Sequence, residues 1–150
     1  MLAGGGDAAT IENNVIVQNG SAAATVGGIE LTAAGATIRH NTVADNVGDG
    51  VRCVGASTVF GSILFANSGA ELDGACTGSS SAFEGGAGTN VDLTPAGPNG
   101  GPDFVGGDDY HLQSTSPCID RIASSTTTRD FDGDPRPTGA SVDIGADERR

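Results

Sequence analysis

Three carboxylates at alternate positions, Asp130, Asp132 and Asp134, alternate with Phe131 and Gly133 and would converge on Ca²⁺ if the segment curled around the ion. The spacing is not that of an EF-hand. Glycine falls at the fourth position of the run, and the twelfth is Ser141, which has no bidentate carboxylate. A structural reading competes: Arg136 bridges these acids and Asp143 through charge-assisted hydrogen bonds and locks the tail. The two imidazoles, His40 and His111, have no cysteine or second histidine at zinc-ligand spacing, so metal binding through them is not expected. His40 is expected to face solvent and His111 to pack in the tail. No G-x-S-x-G elbow marks a serine nucleophile.

The elements that must position these groups belong to a chain of 150 residues, enough for one domain with its own core. Aromatic residues are 4% of the chain, while glycine numbers 25, so the core must be built of small aliphatic layers. Glycine in nearly every window argues against a helical bundle. No apolar run is long enough to cross a membrane as a helix. Nineteen acids oppose seven bases, all arginine, for a net charge of −12, which disfavours nucleic acid and anionic membrane as partners. Neutral sugars, cations and other proteins remain.

The chain repeats itself, and repetition is the strongest signal in it. Ile11-x-x-Asn14-x-Ile16-x-x-Asn19 is followed by Gly28-Ile29-x-Leu31. The pattern returns as Ile38-x-x-Asn41-x-Val43-x-x-Asn46 with Gly50-Val51-x-Cys53, and again as Val59-x-x-Ser62-x-Leu64-x-x-Asn67 with Gly69-Ala70-x-Leu72. Asn90-Val91-x-Leu93 reads as a fainter fourth copy of the later strand. Runs of three to five β-prone residues at a period near 21 describe a coil in which each strand pairs in parallel with its equivalent one winding away. Three interior columns are expected: Ile11, Ile38 and Val59; Ile16, Val43 and Leu64; Leu31, Cys53 and Leu72. Asn14 with Asn41, and Asn19 with Asn46 and Asn67, mark the bends, where asparagine tolerates the left-handed conformation and bonds to its copy.

These repeats resemble the right-handed parallel β-helix of pectate-lyase-like proteins. The tail Asp109-Tyr110-His111-Leu112…Ser116-Pro117-Cys118-Ile119-Asp120, with Asp130-Phe131-Asp132-Gly133-Asp134-Pro135-Arg136-Pro137 and Asp143-Ile144-Gly145-Ala146-Asp147-Glu148, is similar to the C-terminal end of choice-of-anchor extracellular β-helix proteins. The resemblance implies an all-β, single-stranded right-handed solenoid, a secreted or cell-surface location, and further coils and an export signal ahead of those seen here. The expected division is coils over 1–93 and a closing region over 94–150 that caps the last coil, with strands around Tyr110 to Ile119 and Asp143 to Ala146.

On such a coil the outward rows read Glu12, Arg39, Phe60 and Glu30, Arg52, Glu71. The expected function is a non-catalytic extracellular scaffold, carbohydrate-associated or self-associating. The alternative is a polysaccharide lyase or glycoside hydrolase with Glu12, Glu30 and Glu71 as its acids. Cys53 is expected inside the coil as a small hydrophobe, leaving Cys76 and Cys118 as the disulfide candidate. Residues 1–10 offer no cap for the first coil, so a dimer or head-to-tail stack through that edge is expected.

Overall fold

The computed structural model describes residues 2–3, 9–95 and 100–150. Within these the chain is all-β, with no helix. The strands of the repeats are β1 (Leu2–Ala3), β2 (Thr10–Glu12), β3 (Val15–Val17), β4 (Val26–Leu31), β5 (Thr37–Arg39), β6 (Thr42–Ala44), β7 (Asp49–Phe60), β8 (Ile63–Phe65), β9 (Leu72–Ser79), β10 (Ala82–Phe83) and β11 (Val91–Asp92). Two more, β12 (Phe104–Gly106) and β13 (Asp109–Leu112), form an antiparallel pair in the tail.

Every pairing among β1 to β11 is parallel. Ile11 lies opposite Ile38 and Ile38 opposite Val59; Ile16 lies opposite Val43 and Val43 opposite Leu64. Two of the three expected columns therefore exist, and their members belong to one core with Ile29, Leu31, Val51 and Cys53. The third is displaced by two residues. Leu31 faces Cys53, but Cys53 faces Gly74, and Leu72 instead continues the Ile29–Val51 column. A two-residue slip keeps Leu72 on the same face, so the hydrophobic pattern alone does not resist it. The fourth copy also moves: Val91 pairs with Ala82, which pairs with Ile63, so the segment extends the sheet of β3, β6 and β8.

The corners divide labour between adjacent residues. The left-handed conformation falls on the residue before each ladder position: Asn13, His40, Gly61 and Ser80 at one corner, Gln18, Asp45 and Ala66 at the other, all with φ between 46° and 57°. The ladder residue itself supplies the amide. Asn41 Oδ1 accepts from Asn14 Nδ2 (3.0 Å) and the Asn14 backbone N–H (3.1 Å), while its own Nδ2 donates to the carbonyls of Ile11 and Arg39. The series continues through the hydroxyls of Ser62 and Ser81 to Asn90 Oδ1, which accepts the Ser81 N–H. At the second corner Asn19 bonds to Asn46 and Asn46 to Asn67. Asn41 is wholly buried, so these bonds replace water that the turning backbone has lost.

In the sheet of β3, β6, β8, β10 and β11 the central strands β6 and β8 are buried on both faces, while β3 and β11 at its edges are partly buried. Val43 and Leu64 point into the first core; Ile63 and Ala82 point the other way, into a second core with Leu93, Leu112, Cys118, Ile122, Val142 and Ile144. The tail thus packs on Ala82, Val91 and Leu93 of the last parallel strands and also reaches the first repeat, where Asn13 Nδ2 donates to the Arg129 carbonyl and Gln18 Nε2 to Asp108. Residues 143–146 form no strand; Val142 makes an isolated antiparallel bridge to Ile122. Leu2 and Ala3 pair with Glu30 and Leu31, covering part of the edge expected to be open; residues 4–8 lie outside the described segments.

Candidate functional site

On the outer face of β5, β7 and β9 the parallel register aligns Thr37, Thr58 and Thr77, and Thr10 continues the row on β2. Strands of a sheet lie about 4.8 Å apart, so the row is a regular array of hydroxyls. Over it passes the tail segment 124–126, leaving a groove of about 610 Å³ whose walls also include Arg39, Ser57 and Phe60. Among the described residues no carboxylate lines it. Three members of the row were legible in the sequence, since Thr10, Thr37 and Thr58 each stand one residue before a column residue; Thr77 precedes Gly78 and carries no such mark.

Two contacts hold the segment in place. Arg39 Nη1 donates to Thr126 Oγ1 (2.8 Å), and His40 Nε2 meets Ser125 Oγ (2.7 Å). His40 was expected in solvent; it is fully buried, edge-on to Phe60. Burial first, then the charges of Arg136 and Arg39, push its pKa down to about 3, so the ring is neutral. The Thr127 N–H donates to Ser125 Oγ, which leaves the hydroxyl proton for the imidazole. The distance is that of a nucleophile and its base, but an imidazole of such low basicity is a poor proton acceptor near neutral pH. It anchors the loop.

The three acids considered for catalysis are engaged separately. Glu12 pairs with Arg39. Glu30 stands opposite Arg52, whose Nε contacts Asp73 (3.3 Å); the register puts Asp73, not Glu71, in that row. Glu71 turns to the corner, where its carboxylate accepts from Asn67 Nδ2 (2.5 Å) and the Asn67 backbone N–H (3.2 Å) and closes the amide series. Burial pushes its pKa up against those hydrogen bonds.

Nor do Asp130, Asp132 and Asp134 face a common centre. Asp130 is buried and accepts the backbone N–H groups of Asp132, Asp134 and Glu148. Asp132 contacts His111, and Asp134 pairs with Arg150. Arg136 has a different partner from those expected. Its Nη1 meets Glu148 Oε2 at 3.2 Å with both side chains fully enclosed, and the guanidinium also donates to the carbonyls of Asp143, Gly145 and Ala146. The Asp143 carboxylate instead accepts the N–H groups of Asp120 and Arg149.

The disulfide is Cys53–Cys76, not Cys76–Cys118. Ser57 faces Cys76 while Cys53 faces Gly74, so the bond spans the place where β7 and β9 shift register, with Cα atoms 5.1 Å apart. Cys118 is a buried free thiol, its pKa pushed up to about 12 chiefly by burial. At the other end of the tail His111 lies between Asp109 (Nδ1, 2.5 Å) and Asp132 (Nε2, 2.6 Å), whose hydrogen bonds raise its pKa to about 9. Comparison with protein-family models, curated proteins and solved structures finds no match.

Proposed function

We propose that this chain is a non-catalytic, extracellular or cell-surface module of right-handed parallel β-helix architecture, and that its threonine-lined groove holds a neutral glycan. The repeated parallel register and the amide series at both corners support the winding. The disulfide fits an oxidising compartment. The observation that carries the ligand class is the groove lining: hydroxyls in register, the Phe60 ring, one guanidinium and no acid among the described residues. Sugars present hydroxyls and an apolar C–H face, which match such walls, while glycoside cleavage by paired acids needs carboxylates at the bond.

Calorimetric titration with soluble neutral glucan and xylan oligosaccharides tests the proposal, alongside turnover assays on pectin, alginate and neutral polysaccharides with Ca²⁺ present. Binding that is lost on Phe60→Ala and on Thr58→Val, with no turnover, is the expected result. Turnover abolished by Glu30→Gln would establish the lyase or hydrolase reading instead.

A further inference from the structure

We propose that His111, Asp132 and Asp147 form a binding site for a first-row divalent transition ion such as Zn²⁺. The site is separate from the groove and does not depend on the glycan reading. One ligand atom from each residue lies within 4.8 Å of the others. They come from three segments: β13, the acidic loop after Arg129, and the final stretch before the C-terminus. All three border one pocket of about 380 Å³, beside the Asp134–Arg150 pair.

Two further observations point to a cation. The first is the back of the imidazole. While Nε2 faces Asp132, Nδ1 is bonded to Asp109 Oδ1 at 2.5 Å. A ligating histidine characteristically gives its other nitrogen to a carboxylate, which fixes the ring and strengthens the donor atom. The second is Asp147. It is 5% exposed, accepts one hydrogen bond from the Leu112 N–H (2.8 Å), and has the His111 ring as its neighbouring positive charge. Burial penalises its charged form, and a divalent ion held on His111 sets two positive charges against it where the imidazolium sets one.

The donor set selects the metal. One imidazole and two carboxylates suit Zn²⁺ or Mn²⁺, with water completing the coordination, whereas Ca²⁺ takes six to eight oxygens. The ion replaces the proton between His111 Nε2 and Asp132. Bound there, it ties the hairpin, the acidic loop and the final stretch to one another.

Calorimetric titration of the EDTA-dialysed protein with Zn²⁺ tests this, with Ca²⁺ as the comparison. One Zn²⁺ per chain is expected. His111→Gln, at an exposed position, and Asp147→Asn, whose amide oxygen still accepts the Leu112 N–H, should each weaken binding by at least about tenfold, since even losing an outer-shell partner costs about that much. Asp109→Asn should weaken it less than His111→Gln, and Cys118→Ala not at all. Affinity unchanged in a folded His111→Gln variant, tighter binding of Ca²⁺ than Zn²⁺, or no binding at millimolar Zn²⁺ would overturn the proposal.

Discussion

The corners between the parallel strands and the knot of the tail satisfy polar groups by opposite means. At the corners most of the partners are neutral and alike, Asn on Asn or a Ser hydroxyl in its place, with Glu71 ending one series. In the tail they are charged and unlike, with Arg136 against Glu148 and three carbonyls. An amide carries both donor and acceptor, so a copy satisfies a copy and the motif extends with the chain. A charge cannot stack on its own copy. It needs a counterpart supplied once, and a non-repeating segment is where such a counterpart arises.

The sharpest break of this comparison is Arg136→Met, which leaves Glu148 enclosed with two backbone N–H donors but without its counter-charge. Removing one member of a buried pair costs about 3–5 kcal/mol. Urea unfolding should register that loss. Hydrogen exchange should show the tail opening while the amides at Asn41 and Asn46 stay protected; uniform loss of protection would mean that the two regions melt as one.

Next in size is the disulfide, which belongs to the parallel strands alone. It closes a loop with a sequence separation of 23. Cys53→Ala with Cys76→Ala should lower stability by about 3 kcal/mol, the entropic value for a loop of that length. The urea midpoint of the double variant measures it. A Cys118→Ala substitution should leave the non-reducing electrophoretic mobility unchanged.

The smallest effect near neutrality, growing with acid, comes from His40, where the two regions meet. Its folded pKa is depressed to about 3 from 6.5, so the unfolded chain takes up a proton first as pH falls. Stability from this group is intact above about pH 6.5 and declines toward pH 3, with a limiting slope of about 1.4 kcal/mol per pH unit. Asn13 occupies the equivalent corner with nearly the same φ, so His40→Asn suits the backbone and should flatten the slope. Melting temperature followed from pH 7 to pH 4 in both proteins checks the sign.

What was legible in the chain follows the same division. Ile11, Ile38 and Val59 were readable as a column because repetition places equivalents without knowledge of the fold. Asn14 and Asn41 were readable for the same reason, although the left-handed strain proved to sit on their neighbours. The partner of Arg136 was not readable. Asp130, Asp132, Asp134 and Asp143 all stood close in sequence, but only the fold brings Glu148 into the enclosed site. Cys53 was aligned with Leu31 and read as a hydrophobe; a slip in register around Gly74 brought Cys76 to it. The His111 cluster draws on three separate segments, at positions 111, 132 and 147, a spread that no local spacing rule covers.

Glu71 gives the second amide series a direction. Each asparagine offers the next one a hydrogen to hold, but a carboxylate has only lone pairs, so the sequence of gifts ends there. A further asparagine placed against that corner would find no donor waiting. The second series therefore stops at a carboxylate, while the first, which meets none, runs on through Ser62 and Ser81 to Asn90.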